Sequence, residues 1–557
     1  MGRHHAADES TSASRRGSDT APPQRRRRGL LMSAAVVVIA LAAGGVVWAT
    51  LADSAGPDCD SRTGITIAAD PSMTTVLKSV APQASENSCF DYTVSAVAGT
   101  GIAGELTRGE GAPDLWVADS TGRATTVTRQ VRVPTDIVVP SVATTPAVVV
   151  GSSLPQLPDW VSVMKLPDLR IGSPLDSSTG NAPIVGALAS VEKGTLSSKD
   201  LTDAMTLLAI QQGNVRTADD SEESRLALAE SSGVPVVTTE QQFLSHTAAT
   251  PTTKLTEAVP AVGTAFLDHP MLVTAAADRR DTAREAGQRF AREVSSAAGQ
   301  TALAAQHYRP PTRAPLAGTG VGDVAPIALR DPSQQTKTLR QWAVVAEPIR
   351  TLVAMDVSGS MEEQVGSSTR AELLVQAALT GNKLFPNNTA IGMWYFSVDK
   401  GGPGQDWVEI APIEREDHVR PDGRTQREFL NSQAQDYQRY VGGGTGLYDT
   451  TLAAYKKVLD TYDPNYSNSI IVLTDGRNED PGSMGLSELL SKIRALQDPA
   501  RPIDIVTIGI SADADTSALQ QIADLAPAGT SYQAKDPTEI PSVLVDAVAA
   551  RVTAAGR

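Results

Sequence analysis

Thr351-Leu352-Val353-Ala354-Met355-Asp356-Val357-Ser358-Gly359-Ser360-Met361 sets an uncharged, largely apolar run directly before one carboxylate and two hydroxyls. Such a run, bounded by small polar residues, predicts a buried strand whose carboxyl end presents Asp356, Ser358 and Ser360. Two remote stretches offer matching chemistry. Gly442-Gly443-Gly444-Thr445-Gly446 opens a predicted helix with one hydroxyl, and Ile470-Ile471-Val472-Leu473-Thr474-Asp475-Gly476 ends a second apolar strand on a carboxylate. In open α/β sheets ligands sit in the crevice outside the carboxyl ends of the strands, so the three segments are expected to converge there.

Hydroxyl and carboxylate oxygens suit a hard divalent cation. Mg2+ takes about six oxygens and usually keeps waters or substrate oxygens among them. Ser358, Ser360 and Thr445 would bind without cancelling its charge, and only Asp356 and Asp475 are anions. An ion held in this way stays electrophilic and accepts a carboxylate from a partner. The competing reading makes Asp356 and Ser358 ordinary helix caps, but it leaves Thr445 and Asp475 without a role. In these three segments the chain resembles the von Willebrand factor A family and its metal-ion-dependent adhesion site. The resemblance implies a doubly wound, Rossmann-like domain over 341–557 that holds Mg2+, or Mn2+ or Ca2+, through Asp356, Ser358, Ser360, Thr445 and Asp475. It also implies a protein partner that offers a carboxylate.

The chain has 557 residues, which predicts about three or four domains. Residues 1–28 are polar and carry seven Arg against three acidic residues; a disordered, cytosolic basic tail is expected. Residues 29–51 contain no charged side chain, a run long enough to span about 30 Å of hydrocarbon as a helix. With Arg25 to Arg28 before it and Asp53, Asp58 and Asp60 after it, the bulk is expected outside a cell membrane crossed once. A cleaved signal peptide ending near Thr50-Leu51-Ala52 is the alternative. The only cysteines, Cys59 and Cys89, are expected to pair outside the cytosol; two separate buried thiols are the alternative. The net charge is −15, and near −19 once the +4 of the tail is set aside. An acidic chain without a basic, aromatic-interleaved stripe argues against nucleic acid.

Between Thr63 and Arg313, short apolar strands alternate with amphipathic helices, among them Ile65 to Ala69, Tyr92 to Val97, Asp114 to Val117, Pro146 to Val150 and Val234 to Val237, with a long Ala-rich helix expected over 282–305. Alternation of this kind predicts α/β structure. Ala112-Pro113-Asp114-Leu115-Trp116-Val117-Ala118-Asp119-Ser120, Leu169-Arg170-Ile171-Gly172-Ser173-Pro174 and Asp268-His269-Pro270-Met271-Leu272-Val273 carry a resemblance to extracellular solute-binding proteins of the type 2 periplasmic fold. That resemblance implies a two-lobed domain over 59–313 with Ser72, Thr100, Ser120 and Thr179 at its cleft. Ordinary caps and turns explain the same residues equally well. Gly99-Thr100-Gly101-Ile102-Ala103-Gly104 has the form of a dinucleotide fingerprint, but it lies on the second strand of its domain and is read as a decoy. Asp176 to Asn181 would offer hydroxyls and amides to an anion at a helix start. No Arg or Lys accompanies them, so no particular anion is assigned.

Pro310 to Gln335 is rich in Pro, Gly and Ala without periodicity, and 314–340 is expected to link the two domains. The charged stretch Glu414 to Arg439 reads as a solvated helix near the metal face. The six histidines supply no nucleophile and base pair, and no Gly-x-Ser-x-Gly elbow is present. The fold expected is therefore α/β: one N-terminal transmembrane helix, a periplasmic-binding-like domain and an A domain, a tandem resembling membrane-anchored proteins of actinobacterial type. The function expected is binding, not catalysis: a cell-surface protein gripping an acidic group through a divalent ion. A solute receptor for transport or sensing, with the A domain as docking adaptor, is the alternative, and a metal-assisted hydrolase comes third.

Overall fold

The computed structural model describes residues 59–534 and 539, except 100, 110, 215–220, 366 and 511–513. The expected tail at 1–28, the expected membrane helix at 29–51 and Thr100 lie outside the described residues. Among the described residues, no helix is long and apolar enough to cross a membrane. Cys59–Ser61 and Glu86–Cys89 belong to a small unit that contains the Cys59–Cys89 disulfide, with Cα atoms 5.6 Å apart; the other described residues form a large unit.

The large unit begins with two sheets. Strands β1 (Thr63–Ala69), β2 (Phe90–Ala96), β3 (Leu115–Val117), β4 (Asp136–Val139) and β9 (Met271–Val273) form the first, in the order β2-β1-β3-β9-β4. Strands β5 (Thr145–Gly151), β6 (Val236–Thr239), β7 (Thr256–Ala258) and β8 (Phe266–Leu267) form the second, all pairing antiparallel to β5. The chain passes from the first sheet to the second after β4 and returns through β9, which makes two lobes, each with its own core. In the first core Ile65, Ile67, Met73, Leu77 and Phe290 are buried. In the second, Trp160 is buried among Val149, Ile184 and Met205.

The long helix expected over 282–305 is two helices, Arg280–Val294 and Ala297–Ala305. The break has a local cause. Ser296 is extended and accepts the Gly299 amide, so its side chain supplies the first bond of a new helix start. A Cβ on Gly299 would lie 2.3 Å from the Glu293 carbonyl, so only glycine allows this close turn.

The 314–340 segment runs along the second lobe, pairing Thr264 with Pro326, and its last part enters the helix Pro332–Ala346. Asp331 caps that helix, and Trp342 is buried in the core of the second lobe. Ile327 and Leu329 before the helix, and Leu339, Trp342 and Val345 in its second half, thus dock what composition alone reads as a connector.

The remaining chain forms a six-stranded sheet from β10 (Ile349–Asp356), β13 (Ala390–Phe396), β14 (Trp407–Arg415), β15 (Ser467–Thr474), β16 (Asp504–Gly509) and β17 (Thr530–Gln533), in the order β14-β13-β10-β15-β16-β17. A small hairpin, β11 (Gln364–Val365) with β12 (Ser368–Thr369), lies beside it. All neighbours in the large sheet are parallel except β13 and β14. Helices cover both faces, which is why β13 and β15 read as almost unbroken buried runs. From β10 the chain goes first to β13 on one side and later to β15 on the other. The switch point of the sheet is therefore the carboxyl end of β10, where a ligand crevice is expected.

The Glu414 to Arg439 stretch differs from the solvated helix expected. It ends β14, then forms the helix Gln426–Gln435, whose Gln426, Leu430 and Ala434 are buried. Gln426 donates to the carbonyls of Ile391 and Pro412, and the Arg427 guanidinium pairs with buried Glu416 at 2.8 Å. Charge density along the sequence hid an amphipathic helix whose polar side chains satisfy buried backbone.

Candidate functional site

Asp356 ends β10 at the switch point and is fully buried. Its Oδ1 accepts the Ser358 amide at 2.8 Å and its Oδ2 accepts the Thr474 hydroxyl at 2.5 Å. Tyr437 donates to its backbone carbonyl. Burial first, then the charge of Asp475, pushes the Asp356 carboxyl up to about 7. The Ser358 and Ser360 hydroxyls are 3.0 Å apart, and Ser360 donates to Asp475 Oδ1 at 3.0 Å.

The glycine loop closes over this floor through backbone bonds. The Gly359 amide donates to the Gly443 carbonyl at 2.9 Å and the Gly442 amide to the Val357 carbonyl at 2.8 Å. Gly442 and Gly443 sit at φ of +144° and +93°, a region other residues rarely enter. The loop delivers Thr445, which is 1% exposed and whose hydroxyl has no hydrogen-bond partner. A Cβ on Gly476 would lie 3.5 Å from Thr445 Oγ1 and 4.0 Å from Ser360 Oγ, so the glycine after Asp475 borders both hydroxyls. Asp356, Ser358, Ser360, Thr445 and Asp475 thus cluster at one point beyond the carboxyl ends of β10 and β15. Buried hydroxyls normally find partners, and an unpartnered one among carboxylates and serines is chemistry that suits an oxygen-seeking cation. The donor set is all oxygen, as Mg2+, Mn2+ or Ca2+ requires.

Two features here escaped the sequence. Arg370, at the start of the helix Arg370–Asn382, reaches Asp475 Oδ2 at 2.9 Å and Glu363 at 2.8 Å, setting one positive charge against the two acids of the crevice. Asp406, Asp449 and Asp480 bring one carboxylate oxygen each within 4.8 Å of one another. Asp406 is held against Gly446, where a Cβ would meet its carboxylate at 2.5 Å. Burial, with the charges of Asp480 and Asp449 next, raises the Asp406 carboxyl. No local pattern marks this trio, since its members come from three separate loops and helices.

The second crevice lies between the two lobes of the first domain. It encloses about 370 Å³, within the range of small-molecule sites. Ser72 and Thr179 line it, whereas Ser120 does not. The Ser120 hydroxyl is committed to the Arg123 amide at 3.0 Å and to Ser178 at 2.6 Å. The helix start at Asp176 to Asn181, read as an offer to an anion, is already served by the protein: Asp119 Oδ2 accepts the Ser178 amide at 2.8 Å. The first glycine of the Gly99 to Gly104 fingerprint has a structural cause, because a Cβ on Gly99 would strike the Asp176 carbonyl at 2.4 Å, whereas Gly104 has open space.

Residues 65–309 match the model of the bacterial extracellular solute-binding protein family, and 352–545 match that of the von Willebrand factor type A domain. Two curated proteins of Mycobacterium tuberculosis, the uncharacterized proteins MT1884 (strain CDC 1551 / Oshkosh) and Rv1836c (strain ATCC 25618 / H37Rv), are each 26% identical over 403 residues, 68% of this chain and 55% of theirs. The chain thus spans about half the length of the curated relatives it matches. Among solved structures, a periplasmic thiamin binding protein aligns with 12% identity and a TM-score of 0.40, covering 52% of this chain and 98% of its own. A von Willebrand factor type A protein from Catenulispora acidiphila aligns with 18% identity and a TM-score of 0.29, over 37% of this chain and 42% of its own. Two successive stretches of the chain thus match, in order, the model of a solute-binding family and that of a von Willebrand factor type A domain.

Proposed function

We propose that the protein is a surface or periplasmic binding protein whose A domain takes a divalent cation and, through it, a carboxylate on a protein partner. The observation that carries this reading is the buried, unpartnered Thr445 hydroxyl, clustered with Ser358, Ser360, Asp356 and Asp475. Those five side chains would hold Mg2+, Mn2+ or Ca2+, and the ion when bound supplies an electrophilic position for a partner's oxygen. The protein's part is to orient and to limit charge. Ser358 and Ser360 are fixed by their mutual bond, Asp356 is oriented by the Ser358 amide and Thr474, and Arg370 offsets one of the two acids.

Binding rather than catalysis is part of the proposal, as is attachment by one N-terminal membrane helix with the bulk outside the cytosol. The disulfide supports an oxidising compartment. Isothermal titration of the full chain with MgCl2 and MnCl2 tests the metal site. Saturable heat in the wild type that vanishes in Asp356→Ala, with unchanged circular dichroism, is expected; equal heat in both proteins sinks the assignment.

A second reading, a solute receptor for transport or sensing with the A domain as docking adaptor, is favoured by the enclosed crevice between the lobes. Both readings assign recognition to the molecule, and they differ in which crevice holds the primary ligand.

A further inference from the structure

We infer that the crevice between the two lobes of the solute-binding domain takes a small organic cation, an ammonium or amidinium compound, in preference to an oxyanion or a neutral sugar. The inference rests on the second reading only in requiring that this crevice binds a solute. Its charge comes from the described lining residues. Asp70, Asp119, Glu222 and Glu223 line the space, and no Lys or Arg does.

Two of these carboxylates, Asp70 and Asp119, are half-buried. Asp70 accepts the Ser72 hydroxyl at 2.6 Å and amide at 3.0 Å. Asp119 gives one oxygen to the Ser178 amide, and its Oδ1 is buried without a hydrogen-bond partner. Arg123, whose field reaches Asp119, spends its guanidinium on the carbonyls of Gly99 at 2.6 Å and Leu175 at 2.7 Å. Burial raises both acids, and Asp70 raises Asp119 further, to about 7. Both side chains are half-buried, with Asp119 Oδ1 itself shut off from solvent; carboxylates withdrawn from water call for a counter-charge, and the described residues provide none in contact with them.

Independent of the acids, two aromatic side chains wait in the same space. Tyr308 and His269 are each 1% exposed and line the crevice. The Tyr308 hydroxyl and both His269 ring nitrogens make no well-formed hydrogen bond; Ser72 near Tyr308 is already engaged with Asp70, and the backbone of Ala118 is the neighbour that reaches the imidazole. Their rings meet edge to face at 5.4 Å. Burial pushes the His269 imidazole down to about 4, so it stays neutral and keeps an acceptor nitrogen at ordinary pH. An ammonium donor would satisfy Asp119 Oδ1, the tyrosine oxygen and an imidazole nitrogen together, and aromatic faces favour cations.

A bare metal ion fits less well. Among the described residues, the one group of three acidic, His or Cys side chains within ligating reach of a shared point is Asp406, Asp449 and Asp480, outside this crevice. Acids spread around a roomy space suit a molecular cation with several contacts.

The test is a thermal-shift and calorimetric series on the full chain, with EDTA present to silence the A domain. The probes are putrescine, tetramethylammonium and arginine, set against sodium sulfate, inorganic phosphate and glucose. At least one ammonium probe is expected to raise Tm and bind saturably, more weakly as NaCl rises, and at least tenfold more weakly in Asp119→Asn or Asp70→Asn. Both variants keep the shape and an acceptor oxygen, and circular dichroism checks their fold. Binding of sulfate, phosphate or glucose without any ammonium probe overturns the charge preference but leaves the solute reading standing. Silence from every probe overturns both. Ammonium binding of equal strength in both variants overturns the location.

Discussion

The two crevices of this molecule handle negative charge in opposite ways. In the A domain, buried Asp475 meets the Arg370 guanidinium at 2.9 Å, and an orphaned hydroxyl stands beside the acids. Between the lobes, Asp70 and Asp119 face one another's field while Arg123 is turned to backbone carbonyls. The first arrangement is partly neutralised and built from hard oxygens, which suits a metal that must remain electrophilic. The second has no guanidinium or ammonium in contact among the described residues and is bordered by aromatic rings, which suits a cation that arrives with its own hydrogen-bond donors. On the readings proposed above, one chain carries two sites for positive charge, separated by ligand geometry rather than by sign.

The largest way to disturb this contrast is to break the buried pair that braces the solute-binding domain. Arg309 meets Glu240 through two bonds of 2.6 Å, with both side chains essentially inaccessible, and Glu240 also accepts the Val321 amide. Arg309→Met should cost about 3–5 kcal/mol in chemical denaturation, because it leaves an uncompensated buried carboxylate. Metal titration of the A domain should be unchanged, so an equal loss at both sites would deny that the domains fold separately.

Next comes Asp356→Ala. Mg2+ at a hundred times its Kd should stabilise the wild type by about 2.7 kcal/mol and the variant by nothing, a difference readable by melting with and without the ion. Thr445→Val sharpens the point. Removal of an unpartnered buried hydroxyl should leave metal-free stability equal or higher by about 1 kcal/mol, while Mg2+ binding weakens about tenfold in calorimetry. A large loss of metal-free stability would mean that Thr445 has a structural partner instead. Arg370→Gln should move affinity the other way, tightening Mg2+ several-fold, since a positive charge beside Asp475 is gone; weaker binding in a folded variant would make Arg370 an organiser of the site.

A pH dependence is expected as well in the solute-binding domain. Burial, then the charge of Glu240, raises the Glu257 carboxyl to about 8. The folded state holds this proton more tightly than the unfolded chain, so the stabilisation is complete below about 4.5 and is lost as pH rises through about 8. Glu257→Gln should flatten that decline in urea melts taken from pH 5 to 9. Parallel curves for the two proteins would show that Glu257 ionises freely.

Sequence legibility differed between the two sites for a physical reason. Asp356, Ser358, Ser360 and Asp475 stand at fixed offsets from strands whose apolar runs announce themselves, and Thr445 stands in a glycine loop at a helix start. Each ligand therefore came with a local signal of where the fold would put it. In the solute-binding domain Ser72 and Thr179 were found on the crevice, but Ser120 was not, because its hydroxyl serves a cap and a neighbour in the other lobe. The acids that set its charge lie among ordinary turn residues. The Ala-rich stretch that splits at Ser296 and the charged stretch that hides buried Gln426 failed for the same cause: composition averages over residues whose individual bonds decide the outcome.

Local pattern was enough for two α/β domains in order, for the four oxygen-bearing side chains at or beyond the ends of strands and for Thr445 at a helix start, since periodicity and turn chemistry are local. Only the tertiary structure decided that Arg370 faces Asp475, that Arg309 meets Glu240, that Asp406, Asp449 and Asp480 assemble, and that Asp70 and Asp119 share one acidic crevice. Those pairings join residues far apart in the chain, and the forces that select among them act through space, with no periodic trace along the sequence.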